Sequence, residues 1–291
     1  MKYFIITLLL FASMEVASKP LMAFIDPYTL TLYRFFIGFS VLTGFAIFSK
    51  RLKEIILLSK KQIGYLFLLG FINVFFSMSM LQIAIKETNA ATAAVVFCSN
   101  PIFVLLFSLM LGDEKFSIGR IAAFLLGIIG VVFIMKDKGL QIDTGAIYAV
   151  VAAISFAAYS VLAKKTVKGV TPLITNVVSF FFGVVALFVF LLITGKNIAF
   201  PVLAFENTQN ILLLAYIGIG ISGIGYITFM LMLKQLSASS ASVVFLIKPI
   251  IATILAVFFL KEHLSTPFFI GLFCVVVGSV LIFRQMNAAK K

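Results

Sequence analysis

The sequence predicts an all-α integral membrane protein of about ten transmembrane helices, arranged as two inverted five-helix repeats. Three observations predict this class: an extreme apolar composition, ten apolar runs separated by short polar breaks, and a second half that repeats the first. The chain has 291 residues, of which 63% are hydrophobic and 11% charged, with a mean hydropathy of +1.20. A soluble domain carries about 25% charged residues, and one core of this size could not hide so much apolar surface.

A helix crosses the hydrocarbon with about 20 apolar residues. Runs of that length fall near 4–22, 29–48, 64–85, 90–111, 118–135, 145–163, 173–193, 211–233, 238–260 and 268–284. The breaks carry turn chemistry: Asp26-Pro27, Gly112-Asp113-Glu114, the segment Lys136 to Gly139, and Thr171-Pro172. Lys2 followed by an apolar run has the look of a signal peptide. Glu15 and Lys19 stand where its small-residue cleavage site belongs, so the first run is expected to be a retained helix.

Basic residues set the orientation. With the N-terminus inside, the inner loops carry Lys50, Arg51, Lys53, Lys60, Lys61, Lys115, Lys164, Lys165, Lys168 and Lys234, and the C-terminal tail adds Arg284, Lys290 and Lys291. The outer loops carry Lys86, Lys136, Lys138, Lys196 and Lys261. The bias places both termini in the cytoplasm of a multi-pass plasma-membrane protein. The net charge of +13 is thereby explained without nucleic acid, which would need a basic face.

The repeat is read by offset. Lys86 to Ile134 aligns with Lys234 to Ile282, and about 13 of 49 positions agree without a gap. Ala93 to Phe97 answers Ala241 to Phe245, Pro101 answers Pro249, Glu114 answers Glu262, Ser117 answers Ser265, and Gly130 answers Gly278. Earlier, Phe11-Ala12, Lys19, Pro27, Phe35-Phe36 and Gly38 answer Phe156-Ala157, Lys164, Pro172, Phe180-Phe181 and Gly183. Residues 1–140 and 141–291 form the expected repeats. Five spans each make the second enter the bilayer upside-down, and inverted repeats of this kind place a binding site at mid-depth between them.

On these residues the chain resembles the EamA-type, ten-helix members of the drug/metabolite transporter superfamily. The resemblance rests on Lys19, Pro27 with Arg34-Phe35, Gly112 to Gly119, and Leu260 to Ser265. It implies a ten-helix basket and export or exchange of amino acids or other metabolites. Members often carry Trp-Gly in the first helix, where this chain has Phe11-Ala12 and no Trp.

Charges at membrane depth cost about 2.5–3.5 kcal/mol each on insertion scales, so Glu15, Lys19, Arg34 and Lys248 need reasons. Glu15 and Lys19 sit one turn apart, as an intrahelical ion pair or as a coupling pair. Arg34 is read either as a structural pair or snorkelling residue, or as an anion receptor. Lys248 lies at the centre of the ninth span before Pro249. Its aligned position holds Asn100, Glu15 aligns with Ser160, and Arg34 with Ser179, so these charges are unique to one half. Pro101 and Pro249 are expected to kink their helices and free the carbonyls near 97 and 245. The expected substrate site is Lys248, Asn100, Arg34 and Glu15, with Tyr159 and Tyr226 as lining or packing residues.

Other chemistry lacks its residues. Cys98 and Cys274 lie inside apolar runs without CxxC spacing, and His263 is the single histidine, so no metal, disulfide or other cofactor is expected. Gly218, Gly220 and Gly223 have GxGxxG spacing, but an apolar span offers no strand and crevice for a dinucleotide; close helix packing or a flexible segment is expected instead. With no P-loop or hydrolytic constellation, the function expected is secondary transport by alternating access, proton-coupled through Glu15, with a small metabolite, protons and lipid as partners. A homodimer is left open. A lipid-linked sugar or drug-like cation remains an alternative cargo; a membrane-embedded enzyme or scaffold is the remote alternative.

Overall fold

The computed structural model describes residues 2–112, 118–135, 143–196, 198, 207–241 and 244–288. The turns at 113–117 and 136–142, with Glu114, Ser117, Lys115, Lys136 and Lys138, lie outside the described residues, as do Ser242, Val243, Lys290, Lys291 and the junction at 140/141. Among the described residues all regular structure is helical. Lipid explains this, since a backbone without water must satisfy its polar groups within each span.

We number the spans α1 (Lys2–Ala23), α2 (Pro27–Phe48), α3 (Lys60–Glu87), α4 (Ala90–Met110), α5 (Ile118–Met135), α6 (Thr144–Thr166), α7 (Pro172–Ile193), α8 (Thr208–Gln235), α9 (Val244–Leu260) and α10 (Thr266–Ala288). Seven are long and apolar enough to cross a membrane, and shorter apolar stretches lie in α5, α9 and α10. The expected spans match these within a few residues.

Local chemistry sets the helix starts. Asp26 accepts from the Tyr28 amide (3.0 Å) ahead of Pro27, and Pro172 opens α7 after Thr171. Ser59 and Gln62 form a capping box at α3. Glu262, from the α9–α10 connection, accepts from the Ala90 and Ala91 amides (2.7 and 3.0 Å) and caps α4. This gives Glu262 the scaffold role that its repetition in both halves suggested.

The packing uses small residues. A Cβ on Gly130 of α5 would stand 2.7 Å from the Gly271 carbonyl of α10, so this pair permits the closest approach of the two helices. The α8 glycines do the same. A Cβ on Gly218 would meet Ile37, and one on Gly225 would meet the Phe11 ring. Within the GxGxxG spacing the close packing is at Gly218; Gly220 and Gly223 leave ordinary van der Waals room.

Four spans are irregular. α1 breaks at Ser13 and ends as a 3₁₀ turn from Lys19. α4 breaks at Cys98-Ser99. α3 and α8 each contain a π-helical stretch, Phe71–Ser77 and Tyr216–Gly225, at the same place under the 148-residue offset. Such stretches cluster at functional sites.

Candidate functional site

The irregular helices bring a polar cluster together in the middle of the molecule. The break at Ser13 precedes Glu15, and the side chain of Glu15 crosses to α9, where Lys248 Nζ donates to its Oε1 at 2.5 Å. Both side chains are sealed, at 1% and 0% exposure. The ammonium also lies over the rings of Phe97 (4.8 Å) and Phe245 (5.9 Å), a favourable seat for a cation. The second carboxylate oxygen, Oε2, has no hydrogen-bond partner among the described residues. Cys98, a free and buried thiol, lies within electrostatic reach of the pair.

This placement corrects two expectations. Glu15 pairs with Lys248 across the repeat rather than along its own helix, because the break at Ser13 and the 3₁₀ turn send Lys19 elsewhere. Lys19 Nζ donates to the carbonyls of Ile85 (2.6 Å), Lys86 (3.3 Å) and Thr88 (2.5 Å) at the end of α3. Its counterpart Lys164 donates to Leu233 (2.7 Å) and Lys234 (3.5 Å) at the end of α8. A cation at a helix C-terminus is favoured by the carbonyl dipoles. The third and eighth spans end on opposite sides of a ten-span bundle, so the two lysines make the same contact at opposite faces.

Arg34 does not reach solvent or headgroups; it is 0% exposed. Its guanidinium stacks over Phe35 at 4.7 Å, Nη2 donates to Met78 Sδ at 3.5 Å, and Glu15 and Tyr226 are its nearest charge-bearing neighbours. Nε and Nη1 have no hydrogen-bond partner among the described residues. A buried guanidinium in this state has donors left over, the kind that bind a carboxylate or phosphate.

The two prolines behave differently. At Pro101 the helix is interrupted, and Asn100 Nδ2 donates to the freed Phe97 carbonyl at 3.0 Å, leaving Oδ1 without a partner among the described residues. Pro249 lies inside an α9 whose helix runs on through it, whereas α4 is interrupted just before Pro101.

Both tyrosines are fully buried. Tyr226 donates to Asn73 Oδ1 at 3.2 Å and packs among Phe11 (5.3 Å), Phe35 (5.4 Å) and Phe180 (5.3 Å). Tyr159 lies against Phe156 at 5.4 Å, its hydroxyl without a hydrogen-bond partner among the described residues. Phe11 contacts Tyr226, Phe229 and Phe245 and so belongs to the same aromatic shell.

Attention to charge alone missed the buried amides. Asn73 lies in the α3 π-helical stretch with Nδ2 unused, and Gln82 donates to Ser18 (3.3 Å) with Oε1 unused. Asn176 is also buried with both amide atoms unpartnered among the described residues. The signal was present: uncharged amides inside apolar runs, which are costly unless hydrogen-bonded.

Side-chain contacts also join the connections at both ends of α2 and α7. On the side of the basic loops, Thr171 donates to Glu54 (2.7 Å), which also accepts from Arg51 (2.7 Å), and Gln62 donates to the Gly169 carbonyl (3.3 Å). On the other side, Lys196 faces Asp26 at 3.8 Å and Tyr33 donates to the Ile198 carbonyl at 2.6 Å.

A chain built this way is testable against known families. The profile of the EamA-like transporter family matches residues 1–136 and 143–284. The chain belongs to that family. This EamA-like chain is 35% identical to an uncharacterized transporter of Clostridium kluyveri, over 99% of this chain and 95% of the relative. It is 24% identical to the uncharacterized transporter YyaM of Bacillus subtilis, over 91% and 85%. An S-adenosylmethionine uptake transporter of Rickettsia bellii is 26% identical over 57% of this chain and 55% of its own length. A crystal structure at 21% identity, covering 97% of this chain and 96% of that one, superposes with a TM-score of 0.72 and shares the fold. The EamA-like chain is therefore a multi-pass membrane transporter.

Proposed function

We propose that this transporter moves small anionic or zwitterionic metabolites, amino acids or similar solutes, by alternating access, and that Glu15 couples the movement to protons. The observation that carries the reading is the sealed Glu15–Lys248 pair beside a buried guanidinium with unused donors. A substrate carboxylate suits one of the unused donors of Arg34 and the ammonium of Lys248. A substrate amino group suits the unused Oε2 of Glu15, and the rings of Phe11, Phe97 and Phe245 suit an apolar side chain. Asn100 Oδ1 and Asn73 Nδ2 offer further polar contacts. Residues 1–140 and 141–291 act as the two rocking bodies, inverted in the membrane, with both termini in the cytoplasm of a plasma-membrane protein.

Coupling follows from competition. The Glu15 carboxylate and a substrate carboxylate compete for the Lys248 ammonium. Protonation of Glu15 releases Lys248, so proton binding and anion binding reinforce each other and the two move in the same direction. The S-adenosylmethionine transporter among the relatives carries an amino acid headgroup on its cargo, which suits this donor set. The cargo chemistry needs no reaction centre, which favours transport over catalysis by this chain.

The test is flux into proteoliposomes with a panel of amino acids, S-adenosylmethionine and organic acids, with and without a pH gradient. Wild type is expected to move a carboxylate-bearing solute faster when an inward proton gradient accompanies it, and Lys248→Met is expected to reduce flux at least about tenfold. Unchanged flux in Lys248→Met removes that residue from the site, and indifference to the gradient removes the proton.

A further inference from the structure

A second cavity, of about 670 Å³, lies away from the polar cluster, between α2 and α7 and beneath the loop that joins α2 to α3. Its size is that of ligand pockets, about 300–1,000 Å³. The wall is apolar, with Val178 and Phe181 of α7 and Ile63 of α3 as examples, and its polar members are Thr43 and Lys53. None of Glu15, Arg34, Asn100 or Lys248 contributes to it.

The surroundings identify an occupant. The loop above the cavity exposes Ile56 (85%) and Leu57 (81%), apolar side chains that water would not favour. Lys53 stands in its rim, and the same loop and the start of α3 carry Lys50, Arg51, Lys60 and Lys61. Glu54, the acid among them, is already engaged by Arg51 and Thr171. Inside the wall, Thr43 Oγ1 is buried without a hydrogen-bond partner among the described residues. A polar solute would find only Thr43 and Lys53 in this wall to replace its water. A hydrocarbon chain would, and a basic rim next to it matches the anionic lipids of the cytoplasmic leaflet.

We propose that this cavity binds an anionic phospholipid, its acyl chain between α2 and α7 and its phosphate at Lys53, with the Thr43 hydroxyl available to an ester oxygen. The site is built by both halves of the chain, since α2 and α7 belong to different repeats. A bound lipid would therefore brace the contact across which the halves move.

Native mass spectrometry of the full-length protein in mild detergent tests this, with phosphatidylglycerol and phosphatidylcholine of identical acyl chains added separately. Phosphatidylglycerol is expected to be retained several-fold more than phosphatidylcholine, and Lys53→Gln is expected to remove that preference. Thr43→Phe, which fills the cavity, is expected to lower retention of both lipids. Phosphatidylglycerol with a photoreactive acyl chain is expected to label peptides spanning 39–63 and 177–182, a readout independent of how either variant folds. Equal retention of the two lipids by wild type, an unchanged preference in Lys53→Gln, or labelling spread evenly over the lipid-facing helices would overturn the proposal.

Discussion

Glu15 of the first helix and Lys248 of the ninth are 233 positions apart in sequence and form a 2.5 Å ion pair with both side chains fully buried. A buried pair is costly to assemble, and removing one partner is costlier, about 3–5 kcal/mol, because an unmatched charge is left in a low dielectric. Lys248→Met is expected to lower the unfolding temperature of the detergent-solubilised protein, while Glu15→Gln with Lys248→Met recovers most of that loss. Transport should not recover with stability. A double variant that unfolds as early as Lys248→Met would show that the pair is not the coupled unit.

Arg34 gives a sharper prediction for recognition. Its guanidinium is planar, stacked on Phe35, and holds two donors unused by the described residues. Lysine keeps the charge but loses the fork and the stacking. Hydrogen bonds to charged groups contribute about 1.5–3 kcal/mol each, so Arg34→Lys is expected to weaken substrate binding by about 10–100-fold, with little change in proton dependence. Substrate titration by thermal shift or flux reads this directly; near-wild-type affinity in Arg34→Lys would place the anion elsewhere.

What the sequence made legible, and what it hid, divides by physical range. The spans could be read because lipid forces a length and an apolar composition on each helix, and the Asp26-Pro27 and Thr171-Pro172 starts are local signals. The inward pull of Glu15, Arg34 and Lys248 could be read from the cost of charge at depth. Pairing could not. The choice of Lys248 over Lys19 as the partner of Glu15 depends on a helix break at Ser13 and on the α3 carbonyls that capture Lys19, neither of which has a one-dimensional signature. Asn73 and Gln82 were visible as amides in apolar runs, but their relation to Tyr226 and Ser18 required the packing of α3 against other spans.

Lys19 and Lys164 form the same contact with the ends of α3 and α8. Each substitution to Met removes charge-assisted bonds to helix-end carbonyls that then have few donors, a loss of about 1.5–3 kcal/mol. Since the two sites are far apart, the double variant is expected to lose close to the sum of the single losses. Amide hydrogen exchange should localise the effect, with Lys19→Met loosening residues near 84–88 and Lys164→Met those near 232–236. Exchange that rises throughout the molecule in either single variant would argue that these lysines hold the global fold rather than one helix end.

The loop contact at Glu54 supplies a pH dependence. Its carboxyl is held below the usual carboxylate range, first by the hydrogen bond from Arg51 and then by that from Thr171. A carboxylate with a depressed folded value contributes stability that is fully present above its unfolded value and is lost as pH falls through the folded one. The bridge between the α2–α3 loop and the start of α7 is therefore intact at neutral pH and opens only in acid, below the ordinary carboxylate range. Amide protection at residues 51–57, taken relative to intrinsic exchange (which itself slows on acidification), is expected to fall in wild type as the pH drops through the folded value of Glu54. Glu54→Gln should flatten that pH dependence, and Thr171→Val should shift the transition toward higher pH by removing one of the bonds that favour the ionised form. If Thr171→Val and wild type open at the same pH, the Thr171 hydroxyl does not help hold the carboxylate charged, and Arg51 alone does so.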